Sequence, residues 1–176
     1  MKRVMDARPG ATTVEGDGRG PASRSSHIPT GEPMTRIGHL EQTTRTSWKE
    51  KGYDNPIHLE RFEQVWERRL AKCVGVTQFG VNVVELGPGS YSALRHWHER
   101  EDEFVYVISG RLVLVDESGE HPLVAGDFAG FPAGEENGHH LVNRSNELAS
   151  YLVVGSRKPG EDTVHYPEDD LPPMAR

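Results

Sequence analysis

The stretch HWHEREDEFVYVISG, residues 96–110, decides the fold and contains most of the recognisable chemistry of the chain. His96 and His98 are two positions apart, so on a β-strand both imidazoles point to the same face. Glu103 begins the apolar run that follows. If that run is the next antiparallel strand, its carboxylate comes to lie beside the two imidazoles. Two imidazoles and one carboxylate suit a first-row transition metal.

A third imidazole is available about forty residues further along the chain, at His139 or His140. Val105 and Val107 follow Glu103 at two-residue spacing, so we expect both to line an apolar pocket beside the ligands. The set predicts one divalent transition metal ion. Fe, Mn, Ni, Zn and Cu are all compatible with three imidazoles and a carboxylate.

Eight short runs with strand-like composition follow one another from residue 75 to residue 155. Turn-forming residues, such as those of Gly87-Pro88-Gly89 and Ser118-Gly119, separate the runs, and no helical pattern interrupts them. The predicted strands are 76–86, 93–98, 103–108, 111–116, 121–124, 127–131, 139–143 and 148–155. This pattern predicts an all-β fold, an antiparallel jelly roll.

The spacing of these residues resembles the first motif of the cupin superfamily, in which a glycine precedes H-x-H, a glutamate and a second glycine. The corresponding residues here, with the number of residues between them, are Gly89, six, His96-Trp97-His98, four, Glu103, six and Gly110. The first spacer is one residue longer than the usual five, and the other spacings match.

A second cupin motif follows, in which a glycine precedes P-x-G, a histidine and an asparagine. Gly126 and Pro132-Ala133-Gly134 fit it, but four residues instead of two precede His139, and Asn143 then follows. The resemblance implies a double-stranded β-helix barrel. It also implies a metal ion held by His96, His98, Glu103 and His139. The insertion leaves His140 as the alternative last ligand, since a bulge would exchange the two histidines; the register through Asn143 favours His139.

Three segments flank the predicted barrel, residues 75–155. Residues 1–33 are rich in Gly, Pro, Ser, Thr and Arg, and we expect them to be disordered. Residues 34–74 form an arm that is either extended or contains a short helix, opening at Asn55-Pro56 and ending near Cys73. Residues 156–176 form an acidic, proline-rich tail that either packs across the barrel or extends freely.

Composition limits the classes of partner. A net charge of −7 without a Lys/Arg cluster argues against nucleic acid and anionic membranes as partners. The chain has neither an apolar run of the roughly 20 residues that span a bilayer nor a signal peptide pattern, so we expect a cytoplasmic protein. Cys73 is the only cysteine, which excludes an intrachain disulfide, and we expect it to be buried.

We expect a metal-dependent enzyme of dioxygenase, isomerase, lyase or decarboxylase type that acts on a small polar metabolite, because four protein ligands leave open coordination positions. The sequence assigns no further catalytic side chain, although Gln78 and Asn82 either contact a substrate or face water. The alternative is a small-molecule-binding or sensory protein without chemistry. A sugar-phosphate isomerase is a minor alternative, since the assignable inward positions are not basic. The resemblance also implies a homodimer.

Overall fold

The structure, a computed structural model, describes residues 35–51, 58–168 and 171–175. The predicted disorder of residues 1–33 and the predicted helix start at Asn55-Pro56 lie outside the described residues. The described chain consists mainly of antiparallel strands, so the predicted all-β class and barrel are confirmed.

Twelve strands are present in the described chain, together with four short helical turns. The strands are β1 Thr46–Ser47, β2 Val65–Arg69, β3 Phe79–Leu86, β4 Trp97–His98, β5 Glu103–Ser109, β6 Arg111–Asp116, β7 Gly119–Val124, β8 Phe128–Phe131, β9 His140–Val142, β10 Ala149–Ser156, β11 Thr163–His165 and β12 Met174–Ala175. The α-helical turns are α1 Trp48–Lys51 and α2 Leu70–Cys73, and the 3₁₀ turns are Leu40–Gln42 and Leu59–Phe62.

The strands form three antiparallel sheets. Six strands pair in the order β1-β2-β3-β10-β5-β8, and two three-stranded sheets have the orders β7-β6-β9 and β12-β11-β4. The apolar core joins the first two sheets: Val84, Val107 and Tyr151 of the large sheet pack in one cluster with Leu112 and Leu141 of the β7-β6-β9 sheet. Alternate residues of the large sheet therefore face inward, as the period of a strand requires.

A continuous helix across residues 59–70 is wrong, because the 3₁₀ turn Leu59–Phe62 is followed by the strand β2. Val65 is fully buried and pairs with Leu86, and burial then alternates along β2 with a period of two. The apolar residues of this segment have the spacing typical of a helix, but pairing of β2 with β3 determines the structure that forms. Cys73 ends α2 and is exposed, not buried as predicted, because it follows the buried part of this segment.

Of the two alternatives for the tail, packing across the barrel is the one observed. Val164 pairs with His98 and His165 pairs with Trp97 in the sheet formed by β4 and β11. The rings of Trp97 and His165 are stacked, with centroids 4.1 Å apart. This pairing brings the tail against the first histidine motif.

Candidate metal centre

Two histidines, His98 of β4 and His96 just before this strand, lie next to Glu103, the first residue of β5. His96, His98 and Glu103 each offer one ligand atom, and these atoms all lie within 4.8 Å of one another. His98 is buried, and His96 and Glu103 are half-buried. The alternation of residues along a strand places both imidazoles on one face, and the next strand supplies the carboxylate.

His139 joins this cluster, whereas His140 has a different environment. Hydrogen bonds connect the backbones of His96 and His139 in both directions, and the two rings are 5.3 Å apart. Nε2 of His139 lies 3.9 Å from Oε1 of Glu103, and its ring stacks on Phe131. His140 instead packs edge-on against Tyr91, with ring centroids 5.2 Å apart.

Each of the three clustered imidazoles has its Nδ1 atom engaged by an acceptor. Nδ1 of His96 donates to the carbonyl of Leu94 at 2.8 Å, and Nδ1 of His139 donates to the carbonyl of Asn137 at 2.9 Å. A carbonyl oxygen only accepts, so the proton must reside on Nδ1 and the lone pair of the neutral ring on Nε2. Burial lowers the pKa of His139 to about 4, so this ring is neutral at pH 7.

The third imidazole is oriented by a carboxylate that the sequence did not reveal. Nδ1 of His98 lies 2.7 Å from Oδ2 of Asp162, and Oδ1 of Asp162 accepts from the backbone N–H of Arg100 at 2.9 Å. Asp162 precedes β11 in the acidic tail, where nothing in the sequence distinguishes it from its acidic neighbours. Its position follows from the pairing of β11 with β4.

Glu101 completes a second cluster with His98 and Asp162, in which all three side chains are buried. Both carboxylates already accept hydrogen bonds: Glu101 from the backbone N–H of Lys158, and Asp162 from His98 and Arg100. The second cluster therefore holds the His98 ring in place from its Nδ1 side and fixes the backbone at Arg100 and Lys158.

A cavity of about 590 Å³ opens beside the histidines. Its walls include Val105, Leu114 and Val153, whereas Val107 belongs to the core and was wrongly expected in the pocket wall. A larger inward residue, Tyr151, occupies the neighbouring position on β10 and pairs with Val107. This cavity matches the volume of sites for small molecules.

Polar side chains also line this cavity. Asn82 is among them, whereas Gln78 is exposed and lies before β3. Arg69 and Arg157 line the cavity as well, so basic residues are present at positions that the sequence did not assign as inward. Arg69 lies on β2, which the sequence pattern did not reveal, and Arg157 directly follows β10.

Within the described part of the chain, no helix has the length and apolar character needed to cross a membrane.

An antiparallel jelly roll with a cavity lined by histidines and a carboxylate defines a class of β-barrel proteins with a candidate metal site. A model of the cupin domain matches residues 82–155. A solved structure described as a sugar phosphate isomerase from a cupin superfamily, from Silicibacter pomeroyi, is 44% identical with a TM-score of 0.70, and the match covers 77% of this chain and 83% of that chain. The chain belongs to the cupin superfamily.

Two further relatives are more distant. Quercetin 2,3-dioxygenase of Bacillus subtilis (strain 168) is 28% identical over 78 residues, which represent 44% of this chain and 23% of that protein. The chain thus spans less than a quarter of that relative. A polyketide cyclase from Streptomyces resistomycificus shares the fold, with 22% identity and a TM-score of 0.56 over 71% of this chain and 81% of that chain.

Proposed function

We propose that this chain is a metal-dependent enzyme that acts on a small polar metabolite in the cavity beside the ligand cluster. The proposed ligands are His96, His98, Glu103 and His139. The observation that carries the proposal is the clustering of His96, His98 and Glu103, whose ligand atoms all lie within 4.8 Å of one another, while Nδ1 of each imidazole, including that of His139, is engaged by an acceptor.

The residues fit a metal ion. Nε2 of His139 is buried and, among the described residues, has no hydrogen-bond partner. Leaving such an atom unsatisfied costs roughly 1–3 kcal/mol, which a coordinate bond would offset. His96, His98, Glu103 and His139 would hold the ion, which would supply Lewis acidity to a substrate oxygen or, if it were iron, a site for dioxygen.

The side chains around the cluster have separate tasks. Val105, Leu114 and Val153 form apolar walls that exclude water from the reacting part of the substrate. Asn82, on β3 of the same sheet as Glu103, offers an amide to a polar substrate group. Glu103, half-buried beside the cavity, holds negative charge that favours a cation at the cluster.

Within the dioxygenase, isomerase, lyase and decarboxylase types, isomerisation of a sugar phosphate is the reaction to test first. Two observations favour it over the other types: Arg69 and Arg157 line the cavity, and the relative described as a sugar phosphate isomerase is 44% identical. The competing proposal, a binding or sensory protein that uses the same cavity, predicts ligand binding without product.

Elemental analysis of the purified protein tests the metal centre. We expect about one equivalent of a transition metal in the wild type, loss of the metal in His98→Ala, and retention in His39→Ala, where an exposed histidine is removed. A full equivalent in His98→Ala contradicts the ligand assignment. Incubation of the metal-loaded protein with sugar phosphates and other small metabolites, followed by NMR, then tests turnover. Thermal stabilisation without product in every case contradicts the enzyme proposal.

We also propose that the protein forms a homodimer through an apolar outer face of the large sheet. This outer face consists of Phe104, Tyr106 and Ile108 of β5 with Phe128 of β8, and each of these side chains is at least 38% exposed. It lies at the end of the sheet where β8 is the last strand, so a second copy can cover the same patch by two-fold symmetry.

A further inference from the structure

We propose that the guanidinium of Arg157 binds an oxyanion at one end of the substrate, a phosphate monoester or a carboxylate, while the other end lies at the metal. This assignment rests on the proposed function, since it places the substrate in the same cavity. It adds a second anchoring point to the cavity and thereby a class of substrate: a short chain with a metal-binding oxygen at one end and an anionic group at the other.

The cavity wall between the ligand cluster and Arg157 is formed by glycines. Gly155 of β10 pairs with Glu103 on one side and with Gly80 of β3 on the other. Gly80, Gly155 and Glu103 all line the cavity. Neighbouring strands are about 4.8 Å apart, so the Cα atoms of Glu103 and Gly80 are separated by about 10 Å. Because neither glycine has a side chain, a ligand can lie across the sheet from the ligand cluster to position 80.

The guanidinium of Arg157 covers the far end of this wall. A Cβ atom placed on Gly80 would lie 2.7 Å from one terminal nitrogen of Arg157, and 3.3 Å from both Cζ and Nε. The guanidinium thus occupies the space that a side chain at position 80 would fill. The backbone of Arg157 is fixed, since its N–H donates to the carbonyl of Gln78 at 3.0 Å.

The charge of Arg157 is available for a ligand. Within the described residues, its guanidinium forms no hydrogen bond or ion pair, although Arg157 borders a cavity that contains carboxylates. Arg69, the other cavity arginine, is paired with Glu67 through Nε and a terminal nitrogen, both at 2.7 Å. The planar donors of an arginine match two oxygens of a carboxylate or phosphate.

The nearby carboxylates have hydrogen-bond partners other than Arg157. Glu67 is engaged by Arg69, Glu101 accepts from the N–H of Lys158, and Asp102 accepts from the N–H of Ala133. The chain as a whole has a net charge of −7, so general attraction does not draw anions to it. Anion binding in this cavity therefore depends on the local donors of Arg157, with the amide of Asn82 on the adjacent inward position of β3.

Calorimetric titration of the metal-loaded protein tests the assignment with three probes: dihydroxyacetone phosphate, malate and uncharged dihydroxyacetone. We expect one of the two anions to bind roughly ten- to hundred-fold more tightly than dihydroxyacetone, as hydrogen bonds to charged groups imply. The anion that binds more tightly distinguishes a phosphate subsite from a carboxylate subsite.

Two variants remove the subsite in different ways. Arg157→Gln deletes the charge, and Gly80→Val keeps the charge but fills the space under the guanidinium. Both should lose the preference for the anion, whereas Arg111→Gln, which removes an exposed charge on β6, should keep it. Circular dichroism and the melting temperature check that each variant folds.

Equal anion affinity in Arg157→Gln and the wild type overturns the assignment, as does equal affinity of the wild type for charged and uncharged probes. Metal content, measured on the same samples, separates this failure from failure of the proposed function. A full metal equivalent without anion preference overturns the subsite alone. If the protein holds no metal, the proposed function fails, and titration with inorganic phosphate of the wild type and Arg157→Gln then decides the subsite separately.

Discussion

Nδ1 of His98 lies 2.7 Å from Oδ2 of Asp162, and both side chains are buried although 64 positions separate them in the sequence. Burial of the Asp162 carboxyl opposes ionisation, but the hydrogen bonds from His98 and the backbone N–H of Arg100 outweigh it and lower the pKa of Asp162. An ionised carboxylate behind the ring fixes the tautomer of His98, with the proton on Nδ1.

Replacing Asp162 should weaken the proposed metal centre without removing a ligand. We expect Asp162→Asn to bind the metal roughly 10–100-fold more weakly, because the amide keeps the hydrogen-bond acceptor but loses the charge. Competition with a chelator measures the affinity. Asp127→Asn is the control, since Asp127 accepts from the N–H of Val124 in the exposed turn between β7 and β8. Unchanged affinity in Asp162→Asn would mean that the carboxylate only stabilises the fold.

The fourth ligand can be identified with two neighbouring substitutions. We expect His139→Ala to lose most of the metal, because Nε2 of His139 faces Glu103. His140→Ala should retain the metal, because His140 packs against Tyr91. Elemental analysis of the two variants gives the answer, and the opposite pattern would assign His140 as the ligand.

The contribution of the hairpin between β6 and β7 to the stability of the protein should depend on pH in the acid range. Burial alone raises the pKa of Asp116, but hydrogen bonds from Ser118 and His121 outweigh it and lower this pKa to about 2. A carboxyl with a lowered pKa in the folded state contributes stability above its ordinary value near 4, and the contribution disappears as the pH falls through about 2.

Asp116→Asn should therefore reduce the free energy of unfolding by about 1–2 kcal/mol at pH 7 and by progressively less from pH 4 towards pH 2. Urea unfolding of both proteins across this range measures the difference. Glu136→Gln, in which an exposed carboxyl is removed, should show little change at any pH. A pH-independent difference in Asp116→Asn would contradict the electrostatic origin.

Much of the fold and the clustering of His96, His98 and Glu103 could be predicted because they depend on local patterns. The two-residue spacing of His96 and His98 fixes their common face, and the alternation that begins at Glu103 fixes the next strand. Only long-range pairing places the remaining residues. Asp162 reaches His98 through the pairing of β11 with β4, and this pairing has no signal in an acidic, proline-rich tail.

The dependence on long-range pairing also explains why the sequence did not reveal the basic residues of the cavity. Arg69 belongs to β2, in which Glu67, Arg68 and Arg69 are all charged. The sequence of this strand therefore does not show the alternation of apolar and polar residues that would reveal which side chains face inward. Pairing with β3 and an ion pair with Glu67 make this charged strand compatible with the barrel wall. Arg157 lies one residue beyond the last barrel strand, where the sequence suggests only the beginning of the tail.

The proposed homodimer can be tested on the outer face defined above. Phe128 is 68% exposed and its ring stacks near Phe104 at 5.9 Å, so a charge at position 128 should disrupt the contact between copies. We expect Phe128→Glu to sediment as a monomer and the wild type as a dimer. Val124→Glu places the same charge on β7, at a side chain that is 51% exposed, and should remain dimeric. A monomeric wild type contradicts the proposal.

The segment after residue 155 lies beyond the stretch that matches the cupin domain, yet it contains both Arg157 and Asp162. One of these residues borders the cavity and the other supports a histidine of the cluster. A barrel excised at the domain boundary would keep its four proposed ligands but lose both auxiliary groups. The barrel within the domain boundary is therefore not the complete site: residues beyond that boundary contribute one of the cavity arginines and the carboxylate behind His98.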